Sequence, residues 1–426
     1  MNILIKGGQI LTMENEEIQF GDIGIIDDTI SFIGSDSSFV ADKVIDANDC
    51  IVMPGLINAH THSAMTLLRN YADDLPFWDW LEGSILPIEE KLTGEDIYLG
   101  SRLAIAEMIR SGITTFGDMY MFMDEVAKAV SESGIRANLS RGVTGQGECG
   151  IEKITESVDF YNQWNGTNND RIRVDFAPHA PYSCDDAYIG HIMDAIRKLD
   201  TRVHIHLSES QDEIQKSLEQ HGVTPIAHMR DLGLFEFPTY AAHCVHITDD
   251  DINILKENGV SVVNNPGSNL KIANGFAPVK KMLNAGVNVS VATDGAASNN
   301  NLNMFEEMNL AALVNKAVEN DATTVPAYMA LSMGTIHGAR ALGRQGEIGS
   351  LLVGKKADII LVDMSKPHFY PRYNLIASLI YSAQAGDVKT VLCNGQVLMQ
   401  DYKLLTMDEQ EVLFAAQEAA TRFKNR

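Results

Sequence analysis

Between residues 54 and 293 short apolar stretches alternate with helix-patterned ones, and few architectures accept that order. The strand candidates are the run ending at His62, then Ile113–Asp118, Arg136–Val143, Arg173–His179, Val203–Leu207, Tyr240–His243, Ser261–Asn264 and Asn288–Thr293. Helical periodicity falls between them, as in Gly94–Ser111, Met123–Ser133, Asp185–Leu199 and Pro278–Ala285. Eight such units over roughly 290 residues predict an α/β fold of the (β/α)8 TIM-barrel type, whose chemistry sits at the C-terminal ends of the strands.

Outside this region the texture changes. Ile3-Leu4-Ile5, Ile10-Leu11-Thr12, Ile23–Ile26, Thr29–Gly34 and Val44-Ile45-Asp46 are short, alternating and broken by turn residues. The pattern returns at Asp358–Val362 and Val388–Cys393, with a turn at Asn394-Gly395. Both chain ends are therefore expected to build one composite β-sandwich: residues 1–53 and 346–426 beside a barrel over 54–345, with an amphipathic helix over Met407–Arg426.

The first barrel strand, Pro54-Gly55-Leu56-Ile57-Asn58-Ala59-His60-Thr61-His62, ends in two histidines one residue apart. Alternate side chains of a strand share a face, so His60 and His62 project together and can hold a divalent ion. Alone, the pair is as compatible with two packed histidines. Three further strand ends carry chemistry: His206 with Glu209 three residues on, His243, and Asp294. Buried and unpaired, such groups would be unfavourable, whereas three imidazoles and a carboxylate around one cation satisfy each other. His204 shares the face of His206 at a deeper level and reads as a hydrogen-bonded core residue. Cys244 and His246 read as packing, and His191, His221, His228 and His368 as solvated. His337 receives no role. His179, between Pro178 and Ala180-Pro181, fits either a structural or a substrate contact.

The net charge of −24 would repel a phosphate backbone, which argues against nucleic-acid partners. Five scattered cysteines without a CxxC pair fit reduced thiols. No cleavable leader and no apolar run of membrane-spanning length, about 20 residues, is evident, so a cytoplasmic location is expected.

With these segments in view the chain resembles the metal-dependent amidohydrolase superfamily over nearly its whole length. Pro54–His62, Ala177-Pro178-His179-Ala180-Pro181-Tyr182, His206-Leu207-Ser208-Glu209, Asn265-Pro266-Gly267-Ser268-Asn269 and Thr293–Asn300 carry the resemblance. The Asp294–Asn300 and Trp80–Glu89 segments resemble the branch that deaminates 5′-methylthioadenosine and S-adenosylhomocysteine. The resemblance implies one divalent ion, zinc being usual, with His60, His62, His206 and Asp294 as ligands. Two-metal members carry a modified lysine on the fourth strand, and Arg173–Ala180 contains none. It further implies Glu209 as the acid that protonates the purine ring, Asp294 as the base toward water, and His243 as the group that orients that water. Glu89 would accept the ribose hydroxyls, although beside Glu90 and Lys91 it also reads as an ordinary helix-end carboxylate. His179 would contact the nucleoside, and Arg141 would lie near the 5′ substituent. A second arginine expected past Arg141 is missing from Gly142–Ile154, where Lys153 is the one basic residue, so a neutral methylthio substrate is favoured over one with a carboxylate.

Competing expectations are a guanine, pterin, cytosine or triazine hydrolase on the same barrel, and a non-catalytic scaffold. The scaffold predicts decayed ligands, and all four are present. Polynucleotide deaminases carry HxE with PCxxC, which this chain lacks. A homo-oligomer is compatible with the sequence.

Overall fold

The computed structural model describes residues 1–424. Eight parallel strands form the barrel: β6 (Leu56–Thr61), β7 (Ile113–Tyr120), β8 (Arg136–Val143), β9 (Ile172–Pro178), β10 (Val203–Leu207), β11 (Thr239–His243), β12 (Ser261–Asn264) and β13 (Val289–Val291), each hydrogen-bonded to the next in sequence. Nearly every residue in them is buried, as strands covered on both faces require. The last strand is shorter than expected because Thr293 and Asp294 turn aside to close the barrel. Asp294 N–H donates to the His60 carbonyl (3.1 Å), Thr293 N–H to Asn58 Oδ1 (2.9 Å), and Asn58 Nδ2 to Thr293 Oγ1 (2.7 Å). The seam thus runs through the strand end that carries the two histidines.

Strand spacing at this end depends on Gly117. A Cβ there would lie 2.5 Å from the Ala59 carbonyl oxygen, against backbone that cannot yield. Below it Ile57, Ala59, Tyr240, Val263 and Ala292 pack with Ala339, Ala341, Leu342 and Ile348, so the barrel is a filled core rather than a pore. The outer layer starts with the helix Gly94–Arg110, whose Thr93 cap and Asp96 form a reciprocal capping box.

The chain ends form one mixed sheet of nine strands. These are β1 (Asn2–Leu11), β2 (Ile18–Ile26), β3 (Thr29–Gly34), β4 (Lys43–Asp46) and β5 (Cys50–Pro54), with β14 (Ile359–Asp363), β15 (Val388–Cys393), β16 (Gln396–Gln400) and β17 (Lys403–Leu404). The two ends join where β5 pairs antiparallel with β14 over Cys50–Pro54. The alternation read from the sequence becomes a separate core: Ile3, Ile5, Ile10, Ile23, Ile25 and Ile30 point inward against Val52, Ile359, Leu361 and Leu392. Each such side chain contributes about 1.5–3 kcal/mol when fully buried.

Two contacts fix this sheet to the barrel. Fully buried Arg136 at the start of β8 donates twice to Asp358 (3.0 Å each) and once to Asn394 (3.0 Å). The terminal helix, Glu409–Lys424, lies along Gly94–Arg110, with Arg102 donating to Glu411 (2.6 and 3.0 Å). The expected terminal helix thus spans 409–424, and residues 425–426 lie outside the described residues. All five cysteines are free thiols, and no helix among the described residues is long and apolar enough to cross a membrane.

Candidate metal centre and active site

The barrel mouth is built from strand ends that leave regular geometry at once. Ser208, His243 and Asp294, each just after or at the end of a strand, adopt left-handed backbone with φ of 53°, 72° and 64°. For residues other than glycine this conformation costs about 1–3 kcal/mol each and persists only where the surroundings enforce it.

Four donor atoms converge there. His62 Nε2 lies 3.3 Å from His206 Nε2 and 3.3 Å from Asp294 Oδ1, and His60 Nε2 lies 3.4 Å from the same oxygen. Each of these side chains is aimed by a bond on its far side. His62 Nδ1 meets the Met119 carbonyl (2.6 Å) and His206 Nδ1 the His179 carbonyl (2.8 Å). Carbonyls only accept, so both Nδ1 atoms carry the proton and both Nε2 atoms present lone pairs. Two lone pairs facing each other at 3.3 Å repel unless a cation lies between them. His60 Nε2, fully buried, has no hydrogen-bond partner among the described residues. The spacings equal the edge of a tetrahedron of donors about 2.0–2.1 Å from its centre, the reach of nitrogen and oxygen to zinc. The donor set fits a divalent ion.

Asp294 Oδ2 is held by the hydroxyls of Ser268 (2.7 Å) and Ser298 (2.9 Å), which leaves Oδ1 facing the histidines. Burial alone would raise its carboxyl, but His60 at 3.4 Å and the other nearby imidazoles hold it well below the usual range. Burial pushes His60 down to about 4 and His206 well below the ordinary histidine value, so both are neutral and free to ligate. Glu209 shifts the other way: burial outweighs His243 and, with Asp294 nearby, raises it. Its Oε2 is 3.7 Å from His243 Nε2 and its Oε1 accepts from Asn274 (3.1 Å). His243 is raised because Glu209 and Asp294 outweigh its burial, and Asn269 Oδ1 sits 2.8 Å from its Nδ1. The two carboxyls are pushed in opposite directions, Asp294 down and Glu209 up, a division suited to acid–base work.

Three further carboxylates, none foreseen from the sequence, pin the loops around this cluster. Asp118 accepts Ser63 N–H (2.7 Å) and the hydroxyls of Thr61 and Ser63, behind the two-histidine strand. Glu213 accepts Ser208 N–H (2.9 Å) and Glu209 N–H (2.8 Å). Glu307 accepts Gly267 N–H (2.9 Å) and Asn299 Nδ2 (2.8 Å). Burial raises Glu213 to about 7 and Glu307 to about 8. Glu213 had one visible signal: Ser210-Gln211-Asp212-Glu213 has the S-x-x-E spacing of a helix start, and Ser210 does cap the helix Gln211–His221.

The structure gathers His60, His62, His206, Asp294, Glu209, His243 and His179, the last with its ring 4.8 Å from that of His206. Burial holds His179 down to about 4. Glu89 ends a helical run that begins at Phe77 and contains a π turn at Leu81–Ile85. It is buried, raised by that burial, and accepts the hydroxyl of Tyr120, whose ring lies 6.2 Å from that of His62. Arg141 is not brought to the cluster. It leaves β8 on the face opposite Ser140, pairs with Glu156 (3.2 Å) and donates to the Gly142 carbonyl (2.6 Å). Lys153 is likewise spent on Thr144. His228, expected in solvent, is buried: its ring stacks on His221 at 3.7 Å and its Nε2 donates to Asp186 (2.8 Å), which replaces the water it gives up.

Fold and donor set together describe a barrel hydrolase made to take a cation at its mouth. The Amidohydrolase family model matches residues 51–398, and the chain belongs to that family. It is 51% identical, over 99% of its length and 98% of the relative's, to the 5-methylthioadenosine/S-adenosylhomocysteine deaminase of Caldanaerobacter subterraneus subsp. tengcongensis. It is 47% identical to the 5′-deoxyadenosine deaminase of Methanosarcina mazei over 98% of both chains. Among solved structures it superposes with a TM-score of 0.96 and 34% identity on an adenosine deaminase from Xanthomonas campestris with bound zinc, covering 100% of this chain and 99% of that one.

Proposed function

We propose that this protein hydrolyses the 6-amino group of an adenine nucleoside, with 5′-methylthioadenosine and S-adenosylhomocysteine as the leading substrates, giving the inosine analogue and ammonia. The observation that carries the reading is geometric: Glu209 Oε2 lies 3.7 Å from His243 Nε2, and His243 in turn shares a donor cluster with His60 and Asp294, with Glu209 shifted up by burial and Asp294 held down by the imidazoles around it. The names of the relatives agree with it.

One ion, most simply zinc, would be held by His60, His62, His206 and Asp294; when bound, such an ion acidifies water toward neutrality. The reading of one ion is supported by β9, whose residues Ile172–Pro178 include no lysine of the kind that bridges two metals in related enzymes. Asp294 takes a proton from the water that attacks C6, while its second oxygen stays fixed by Ser268 and Ser298. Glu209 gives its proton to N1, which draws electron density from C6, and Asn274 and His243 hold it in place. His243 orients the attacking water. The C6–N bond then breaks: the amine leaves as ammonia with the proton Asp294 collected, and the hydroxyl proton on C6 passes back to Glu209 as the C6 carbonyl forms. Glu89 and His179 are the substrate contacts of this reading, the former toward the ribose diol. With Arg141 and Lys153 both committed elsewhere, a neutral 5′ group is the better match. The barrel over 54–345 is the catalytic unit and the chain ends support it. The net charge of −24 suits a cytoplasmic small-molecule enzyme with no nucleic-acid partner, as one chain or a homo-oligomer.

The test is kcat/KM for adenosine, 5′-deoxyadenosine, methylthioadenosine, S-adenosylhomocysteine, guanine and cytosine, with zinc measured on the same sample. Adenine nucleosides should exceed guanine and cytosine by about 100-fold or more. Zinc-loaded protein that deaminates no adenine nucleoside would overturn the proposal.

A further inference from the structure

His60 differs from the other two histidines of the cluster in what stands behind it. His62 and His206 are backed by carbonyls, which settle the tautomer outright. His60 Nδ1 is backed at 2.7 Å by another imidazole, Nε2 of the fully buried His204, which can accept or donate. If His204 donated, His60 would carry its proton on Nε2, aimed at Asp294 and closed to a metal.

The next link removes the ambiguity. Ser140 Oγ donates to the Asp118 carbonyl (2.7 Å), which uses its one proton. Toward His204 Nδ1, 3.3 Å away, the serine therefore offers a lone pair, and Nδ1 must bear the hydrogen. That leaves His204 Nε2 as an acceptor, places the proton of His60 on Nδ1, and bares His60 Nε2. The ring of His204 is kept in this attitude by stacking on Tyr240, with centroids 4.3 Å apart and planes at 27°.

We infer that His204, biased by Ser140, is a positioning residue that sets the metal-binding tautomer of His60. The inference rests on His60 being a metal ligand, as proposed above. Bonds of this kind to a ligating histidine are worth about 10–100-fold in metal affinity.

The experiment follows zinc loss from the loaded protein into a competing chelator. His204→Phe keeps a ring against Tyr240 and deletes only the acceptor, so zinc should be held about 10–100-fold more weakly. His204→Gln places an oxygen near the former Nε2 and should recover affinity to within about threefold of wild type. A purely structural role predicts the reverse order, since phenylalanine packs and glutamine does not. Zinc held by the phenylalanine form as tightly as by wild type, or by the glutamine form as weakly as by the phenylalanine form, overturns the inference. Should the phenylalanine form not fold, Ser140→Ala reads the same chain: weaker zinc supports it and unchanged zinc overturns it. Wild type that takes up no zinc would instead defeat the metal reading itself, a separate outcome.

Discussion

Glu213 offers the sharpest test of how the mouth is held together, because it touches no reacting group. Its two oxygens accept the N–H groups of Ser208 and Glu209 at 2.9 and 2.8 Å, and Ser208 sits in left-handed backbone that these bonds help to enforce. Glu213→Gln preserves shape and one acceptor but turns an NH2 against the other N–H. One hydrogen bond to a charged acceptor is lost, about 1.5–3 kcal/mol. That is comparable with the roughly 1–3 kcal/mol stored in the turn, so the turn relaxes and Glu209 moves with it. At 1.4 kcal/mol per factor of ten, kcat should fall about 10–100-fold if the displacement is felt mainly where the proton moves. His206 keeps its own anchor on the His179 carbonyl, so zinc per chain should not change. Steady-state kinetics on methylthioadenosine with metal analysis decides it. A kcat within about threefold of wild type would refute the reasoning, and zinc lost in parallel would place the effect on the metal ligands instead.

Other perturbations separate the remaining roles. Glu209→Gln should keep its metal and lose turnover by about 100-fold or more, seen as full zinc content with a collapsed kcat; a mild effect would move the proton-transfer role to another group. Glu307, raised from 4.5 to about 8, keeps its proton in the folded state over a range where the unfolded chain has released it. Its contribution to stability is therefore complete below about pH 4.5 and disappears as pH rises through about 8, and Glu307→Gln should flatten that decline in denaturant midpoints measured from pH 5 to 9. Parallel curves for the two proteins would contradict the assignment. Arg136→Ala strands Asp358 in a dry contact and should destabilise by about 3–5 kcal/mol, read as a lowered denaturant midpoint with KM unchanged.

The legible part of this fold was the part that repeats. Every barrel strand expected from apolar runs is present, and the clustered histidines and carboxylates sit at strand ends because only there does a polar group meet neither helix layer nor barrel floor. What escaped was long-range or directional. Glu213 and Glu307 look like ordinary helix glutamates until the tertiary fold brings Ser208 and Gly267 onto them. Arg141 alternates with Ser140, which faces His204, so it shares the strand face of Leu139 and meets Glu156. His228 was misjudged because its partners, Asp186 and His221, belong to two other helices.

The pairing of β5 with β14 has a consequence for biogenesis. Residues 50–54 leave the ribosome about 300 residues before the strand that flanks them, and at 5–20 residues per second that is roughly 15–60 s of waiting. Throughout that interval an apolar strand edge lies open beside a growing barrel, the kind of surface that recruits other nascent chains. Chaperone demand and temperature-sensitive yield should therefore track synthesis speed over the barrel codons more closely than they track the equilibrium strength of the finished molecule.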